Sequence, residues 1–249
     1  MLKKILLLLG LAAAAGSAWA DDAEKTVREA LHSMLPQVKI DHVVKSDVPG
    51  FYEVIVSGQV VYVSADGKYL LQGNLYDVPQ KTDLTALRVA KLRAAALATL
   101  PDAKQMVFAP EHPKHTVTVF TDVDCPFCRQ FHKQIDEYNR QGIAVKYVLY
   151  PLDIHPGADK KAVAVWCAAD RKAAYTAAMN GADPGAGTCP NNPVAETKAF
   201  GISLGINATP TVLAEDGTRI DDGHAANPAA LASELDRLAA QRAKPVAAR

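Results

Sequence analysis

Two cysteines stand where an apolar strand pattern gives way to a helical pattern, and this feature constrains the fold most. The run Thr116–Phe120 predicts a strand, and after a short polar step Cys125 and Cys128 follow, with two residues between them. This spacing places Cys125 at a helix N-terminus and Cys128 one turn inside. Unpaired backbone N–H groups and the helix dipole favour a thiolate there. The two sulfurs can also close a small, reversible disulfide, so the pattern predicts a thiol–disulfide exchange site that needs no cofactor.

Two other uses of this cysteine pair stay open. A zinc site needs about four ligands. His132, one turn beyond Cys128, is either a third ligand or a solvated helix residue. Cys167 and Cys189 are not spaced as a second close pair, so no metal site is predicted. The other alternative, a purely structural disulfide, would close an unusually tight ring. Exchange is the interpretation that we favour.

The N-terminus has the pattern of an export signal. Two lysines precede an apolar run, Ile5–Ala15, and Ala18-Trp19-Ala20 presents small residues where signal peptidase reads them. We therefore expect residues 1–20 to be a cleavable signal peptide. The alternative is a membrane anchor, for which the apolar run is too short to span a bilayer comfortably.

All four cysteines lie beyond the predicted signal peptide. Export carries a protein to a compartment where disulfides persist. Four cysteines allow three pairings, and the sequence leaves these open. Cys167 and Cys189 are 189 − 167 = 22 positions apart, and a disulfide across that loop would add about 3 kcal/mol of stability.

The mature chain is almost neutral. The full sequence has 27 basic and 27 acidic residues, and removal of Lys3 and Lys4 with the signal leaves 25 and 27, a net charge of −2. This balance argues against a nucleic-acid partner. The mature length, 249 − 20 = 229 residues, suits one large domain or two smaller ones.

The sequence pattern of residues 21–82 predicts a small α+β domain, which contains no cysteine. An amphipathic helix, Asp21–Leu35, precedes four strand patterns. The predicted strands are Val38–Val44, Phe51–Val56, Gln59–Val63 and Tyr69–Gln72. Asp66-Gly67 predicts a hairpin turn between the last two. Residues 83–100 then predict one continuous helix, either a linker between two domains or an ordinary packed helix.

Residues 101–242 predict a second domain of the α/β class, with the element order β-α-β-α-β-β-α. After the first strand we expect a helix from Cys125 to about Arg140, a strand at Ile143–Tyr150, helix at Ala158–Met179, and further helix to about Leu204. The last elements are strands at Thr211–Ala214 and Thr218–Ile220 and a helix at Ala229–Ala240. A dithiol at the first strand–helix junction of this order is typical of a thioredoxin fold, here with a helical insertion. Residues 243–249 are expected to form a disordered tail.

Thr209 and Pro210 stand just before the third strand of this second domain. In a thioredoxin fold this loop lies beside the dithiol and its proline is cis. A cis proline offers no backbone donor and leaves the backbone of Thr209 exposed, so an extended substrate can pair with it as an added strand. We therefore predict that Thr209 and Pro210 bind substrate. The alternative is an ordinary trans proline at a strand start.

Two acidic residues flank the predicted nucleophile. Asp122 and Asp124 would raise the pKa of Cys125 if their carboxylates lay close to its sulfur. Either can instead cap the helix, and Asp124, directly before Cys125, is the better candidate. We assign neither residue to catalysis.

The whole mature chain resembles the DsbC and DsbG family of periplasmic disulfide isomerases. The motifs around the cysteines that carry the resemblance are Val119-Phe120-Thr121-Asp122, Cys125-Pro126-Phe127-Cys128, Trp166-Cys167-Ala168, Cys189 and Thr209-Pro210. In the N-terminal part they are Asp66-Gly67-Lys68 and Gly73-Asn74-Leu75-Tyr76-Asp77-Val78. The dipeptide Pro126-Phe127 departs from the Gly-Tyr common in DsbC and is closer to DsbG.

The resemblance implies the roles of the four cysteines. Cys125 would be the nucleophile, Cys128 the resolving thiol, Pro210 the cis proline, and Cys167 with Cys189 a structural disulfide. It also implies a V-shaped homodimer, joined through residues 21–82, in which two dithiols face a shared apolar cleft. Misfolded, disulfide-containing exported proteins would be the clients, and the membrane protein DsbD the reductant.

Three other functions remain as alternatives. The protein could be a holdase whose cleft binds unfolded chains, or a zinc-dependent structural protein. Within the redox class, the alternative is a DsbG-like protector of single oxidised cysteines. The Pro126-Phe127 dipeptide bears on this choice, because the residues between the thiols tune the reduction potential.

Overall fold

The computed structural model describes residues 15–243, and side chains from residue 22 onward. Most of the predicted signal peptide and almost all of the predicted tail lie outside the described residues. The chain divides into two compact units, one up to Thr85 and one from Ala86 onward. The predicted domain limits at residues 82 and 100 stay predictions. Among residues 15–243, no helix combines the length and apolar character that crossing a membrane requires.

The first unit packs one helix on an antiparallel sheet. Its elements are α1 (Ala15–Met34), β1 (Ile40–Lys45), β2 (Phe51–Val56), β3 (Gln59–Ser64), β4 (Leu70–Leu71), β5 (Tyr76–Asp77) and β6 (Thr82–Asp83). Strands β1 to β4 form one sheet in chain order, and β5 pairs with β6. The core forms because Val27 and Leu31, one helical turn apart on α1, bury their side chains with Val54 and Val63 of the sheet.

The second unit surrounds a mixed sheet with helices. Its elements are α2 (Leu84–Leu97, which begins in the first unit), a 3₁₀ turn (Asp102–Lys104), β7 (Met106–Phe108), β8 (His115–Thr121), α3 (Pro126–His132), α4 (Ile135–Arg140), β9 (Ile143–Leu149), α5 (Ala158–Cys167), α6 (Arg171–Met179), α7 (Val194–Ser203), β10 (Thr211–Ala214), α8 (Asp222–Ala225) and α9 (Pro228–Arg242). The strand order is β10-β8-β9-β7, in which β8 and β9 are parallel and the other pairs antiparallel.

The central strands β8 and β9 are apolar on both faces. Val117, Val119 and Phe120 of β8 are fully buried, as are Val145 and Val148 of β9. Parallel strands with covered faces have this continuous apolar pattern. β10 pairs with β8, and this pairing brings the start of β10 next to the end of β8. The location of the site follows from this pairing.

Two stretches that were each predicted to be one helix form two helices each. The helix expected from Cys125 to Arg140 breaks between α3 and α4, and the bend lets Tyr138 stack on Phe131 with ring centroids 4.4 Å apart. The helix expected over Ala158–Met179 breaks between α5 and α6. There the Asp170 side chain accepts a hydrogen bond from the backbone N–H of Ala173 and starts a new helix.

The predicted strands of the second unit also need correction. The edge strand β7 was not predicted, because its three residues are too few to show a periodic pattern. The stretch predicted as a strand at Thr218–Ile220 makes a single bridge, Arg219 to Leu213, instead of a full strand.

Helix α2 packs closely against the second unit from Ala86 onward. Arg93 Nε donates to the carbonyl of Leu204 at 3.1 Å. A turn follows β10, and its Gly217 has φ +79 and lies so near α2 that an added Cβ would stand 2.0 Å from the Ala90 carbonyl oxygen. Only glycine fits this close approach.

We predict that Gly217→Ala destabilises the second unit much more than Gly185→Ala does. Gly185 is the matched control, since its φ is +71 but nothing lies within 4 Å of an added Cβ. Both variants carry the backbone strain of alanine at positive φ, and Gly217→Ala adds the clash, so its free energy of unfolding should fall by at least about 2 kcal/mol more. Urea unfolding followed by near-UV circular dichroism measures the difference, and equal losses would contradict the packing of α2.

Candidate dithiol active site

The dithiol lies at the junction of β8 and α3. After β8 ends at Thr121, a short turn leads to Cys125, which is the N-cap residue of α3. Both Cys125 and Cys128 are free thiols, 3% and 1% exposed. The prediction that Asp124 caps the helix is wrong, because no side chain caps α3 and the Asp124 carboxylate binds two cations instead.

Cys125 is placed to be a thiolate. A hydrogen bond from the Cys128 thiol is the largest of the effects that lower the pKa of Cys125, which is about 5. Burial opposes this shift, while Thr209 and the backbone N–H groups of Cys128 and Phe127 add to it. At neutral pH nearly all of Cys125 is therefore in the nucleophilic form.

Cys128 has the opposite character. Burial is the main cause that raises the pKa of its thiol, and the neighbouring Cys125 sulfur raises it further. Cys128 therefore keeps its proton beside the Cys125 thiolate. The two thiols therefore differ in reactivity, and such a difference suits a thiol–disulfide exchange site.

The loop before β10 lies against the nucleophile. The peptide bond between Thr209 and Pro210 is cis. The Cys125 sulfur is 3.2 Å from the Thr209 carbonyl oxygen, to which it donates when protonated. The Thr209 hydroxyl lies beside the same sulfur, yet it is buried and has no hydrogen-bond partner of good geometry in the structure of the described residues. The structure thus brings four of the predicted site residues together: Cys125, Cys128, Thr209 and Pro210.

An apolar cavity of about 180 Å³ opens beside this loop. Phe127 and Phe131 of the dithiol helix line one side, and Thr209 and Pro210 line another. The Phe127 side chain, between the two cysteines in sequence, is 68% exposed at this cavity. The surface beside the Thr209-Pro210 loop can therefore hold an apolar group.

Several buried polar groups that support the dithiol were not predicted from the sequence. Thr121 Oγ1 lies beside the Cys128 sulfur and 2.8 Å from the Tyr175 hydroxyl. His132 was predicted to be a ligand or a solvated residue, which is wrong. It is 2% exposed, and its ring nitrogens lie 3.1 Å from the Tyr147 hydroxyl and 2.9 Å from Thr176 Oγ1. These partners are 15 to 54 positions apart in the chain, so no local pattern indicates them.

The other two cysteines form a disulfide. Cys167, the last residue of α5, is joined to Cys189 with an S–S length of 2.06 Å. Both residues pack against the core that also contains the dithiol. Within residues 15–243, no three His, Cys, Asp or Glu side chains are grouped so that they could hold a metal ion.

Comparison with protein families gives two matches that together cover most of the chain. A model described as the disulfide bond isomerase protein N-terminal domain matches residues 16–86, and a thioredoxin-like domain model matches residues 103–239. The first match ends within one residue of the boundary between the two compact units.

Two of the individual proteins that are similar to this chain have the same name. The thiol:disulfide interchange protein DsbC of Dickeya dadantii (strain 3937) is 36% identical over 220 residues, which are 87% of this chain and 89% of that relative. The protein of the same name in Escherichia coli (strain K12) is 32% identical over 221 residues, 88% and 90% of the two chains. A solved disulfide interchange protein from Neisseria gonorrhoeae is 35% identical and covers 46% of this chain and 81% of its own, with a TM-score of 0.42.

We predict an alkylation rate of Cys125 that hardly changes between pH 8 and pH 6 and falls only near its pKa of about 5. An ordinary thiol with a pKa near 8.5 loses about tenfold in rate for each pH unit below pH 8. Cys128→Ala removes the largest stabilising hydrogen bond, so its profile should move to higher pH. Iodoacetamide labelling with peptide mass analysis measures both profiles, and the urea-unfolded chain is the control. A folded protein with the profile of the unfolded chain would contradict this site.

Proposed function

The chain belongs to the DsbC family of thiol:disulfide interchange proteins, and on this premise we propose how its two redox cysteines divide the reaction. The protein is an enzyme, a disulfide oxidoreductase with a thioredoxin-like domain. The observation that carries the proposal is the unequal setting of the two thiols. Cys125 is the N-cap residue of α3, against the Thr209 carbonyl, and its pKa is lowered, whereas Cys128 is buried one turn inside and its pKa is raised.

The first step is attack by the Cys125 thiolate on an incorrect disulfide of a client. A bond forms between the Cys125 sulfur and one client sulfur, and the client disulfide breaks. The other client sulfur leaves as a thiolate. The loss of charge from Cys125 weakens the hydrogen bond that Cys128 donates, so the mixed disulfide leaves Cys128 free to act.

Two routes lead from the mixed disulfide. In isomerisation, another client thiolate attacks the client sulfur, a new client disulfide forms and the Cys125 thiolate is released, with no net transfer of electrons. In reduction, Cys128 loses its proton and attacks the Cys125 sulfur, and the client leaves as a thiolate. The client then gains two electrons and the enzyme keeps a Cys125–Cys128 disulfide. An external reductant must open that disulfide, and by resemblance this is DsbD.

Thr209 and its surroundings support client binding. Its hydroxyl is buried beside the nucleophile without a hydrogen-bond partner of good geometry among the described residues. An extended client segment would supply that partner and pair with the backbone of Thr209 before the cis Pro210. A bulky apolar side chain of the same segment fits the cavity lined by Phe127 and Phe131.

The remaining proposals concern location and assembly. We place the enzyme in the periplasm, exported by residues 1–20, with misfolded exported proteins as clients. The first unit matches the disulfide bond isomerase N-terminal domain, and by resemblance it joins two chains into a homodimer. Cys167–Cys189 is a structural disulfide that takes no part in the exchange.

A second candidate function is favoured by the Pro126-Phe127 dipeptide, which is closer to DsbG. In this function the Cys125 thiolate attacks the sulfur of a single oxidised cysteine, a sulfenic acid, and the oxygen leaves as hydroxide, which takes a proton to become water. Cys128 then resolves the mixed disulfide, and the client thiol is regenerated with two electrons from the dithiol. The same two sulfurs serve both functions.

We predict that the two cysteine substitutions fail at different steps. Cys125→Ser should abolish the reshuffling of a scrambled disulfide protein, because no nucleophile remains. Cys128→Ala should accumulate mixed disulfides with clients, which appear as reducible bands on non-reducing gels of cell extracts. The double variant is the control and should show no such bands. If the two single variants trap clients equally, the proposed division of roles is wrong.

We further predict that native mass spectrometry of the protein from a periplasmic extract gives the mass of two chains, each beginning at Asp21. Cleavage after Ala20 and pairing through the first unit together produce this value. A mass that retains residues 1–20, or a single-chain mass at micromolar concentration, would contradict the proposal for export or for assembly, respectively.

A further inference from the structure

Three charged side chains form an ion cluster around the residue that directly precedes Cys125. It consists of Asp124, Arg129 and Lys161. The Asp124 carboxylate accepts hydrogen bonds from Lys161 Nζ at 2.8 and 3.0 Å and from Arg129 Nη2 at 3.2 Å. Asp124 is only 18% exposed and the two cations are 36% and 40% exposed, so water screens the cluster only in part.

The ion cluster connects three parts of the second unit. Asp124 lies in the turn before Cys125, Arg129 in the dithiol helix α3, and Lys161 in α5 of the helical insertion. Arg129 Nε also donates to the carbonyl of Val123 at 2.9 Å, which fixes the same turn. The side chains that hold the turn therefore also bring charge to both sides of Cys125, at residue 124 before it and at residue 129 in the helix that it begins.

The charge of the ion cluster bears on the redox equilibrium. The thiolate of Cys125 exists only in the reduced protein, so a nearby positive charge stabilises the reduced form relative to the disulfide, and a negative charge does the opposite. One carboxylate and two cations give the cluster a net charge of +1. Asp124 thus offsets part of the stabilisation that the two cations would otherwise give to the thiolate.

We propose that Asp124, Arg129 and Lys161 set the reduction potential of the dithiol through their charge, with the two cations favouring the reduced form and Asp124 opposing them. This inference rests on the proposed redox roles of Cys125 and Cys128. The apolar cavity at Pro210 shares no residue with the pocket around the ion cluster, so the potential is set by residues separate from those that bind clients.

The other charged groups near this turn are left unchanged in every variant of the experiment. The buried Asp122 accepts from the backbone N–H of Leu152, and its Oδ2 lies 2.9 Å from His155 Nδ1. Asp183 lines the same pocket as the ion cluster.

The test is the equilibrium of the full chain with glutathione, in which the dithiol and oxidised glutathione exchange with the disulfide and two reduced glutathiones. Asp124→Asn should shift the equilibrium about threefold toward the reduced protein, and Lys161→Met about threefold toward the disulfide. A threefold shift equals about 14 mV. The double variant loses one charge of each sign and should return close to the parent value.

Two controls separate charge from structure. Lys104→Met removes a positive charge that pairs with Glu196 instead, so the equilibrium should stay at the parent value. Ionic strength of about 1 M should shrink the shifts of both single variants, since the screening length falls to about 3 Å.

The outcomes distinguish this inference from the proposed function. Opposite shifts that cancel in the double variant support the inference. Equal shifts of the same sign, or no shift, would overturn it. If the ion cluster only held the turn in place, removing either partner would loosen the turn in the same way. If the parent protein forms no disulfide with oxidised glutathione, the proposed function itself fails.

Discussion

The chemistry of the site depends on the inequality of two neighbouring thiols, of which one keeps its proton in the reduced protein and the other loses it. Cys128 is buried, so its thiol keeps its proton in contact with the Cys125 sulfur. This single contact lowers the pKa of Cys125 more than any other interaction does. In the proposed reaction, Cys128 becomes free to attack only after Cys125 has formed a mixed disulfide. In the proposed reaction, the thiol that attacks the client and the thiol that releases it are therefore in direct contact.

The sheet makes that arrangement possible. β10 pairs antiparallel with β8, so Thr211 lies opposite Phe120, and the cis peptide before β10 faces the turn after β8. Helix α3 starts from this turn, which places Cys125 against the Thr209 carbonyl oxygen. The aromatic and polar side chains of Tyr147, Tyr175 and their neighbours fill the space behind Cys128. Buried packing therefore supports one face of the dithiol, and an apolar cavity opens at another.

The sequence predicted most of this fold because its strongest signals are local. The strand-to-dithiol-to-helix pattern, the hairpin at Asp66-Gly67 and the Thr209-Pro210 pair each lie within a few residues. What it could not predict depends on contacts between distant positions. The capping role expected for Asp124 failed because Lys161, on a separate helix, takes its carboxylate. His132 is buried because Tyr147 and Thr176 supply hydrogen-bond partners from other elements. The short strand β7 is visible only through its pairing with β9.

The central claim is that this dithiol works from its reduced state, as an isomerase or reductase does. The most direct measurement is the redox state of Cys125 and Cys128 in living cells, by acid quenching followed by alkylation with a mass tag. We expect both thiols to be free and to take the tag, while Cys167 and Cys189 stay protected in their disulfide. A closed Cys125–Cys128 disulfide in the cell would mean that the protein acts as an oxidant or only as a chaperone, and would contradict the account.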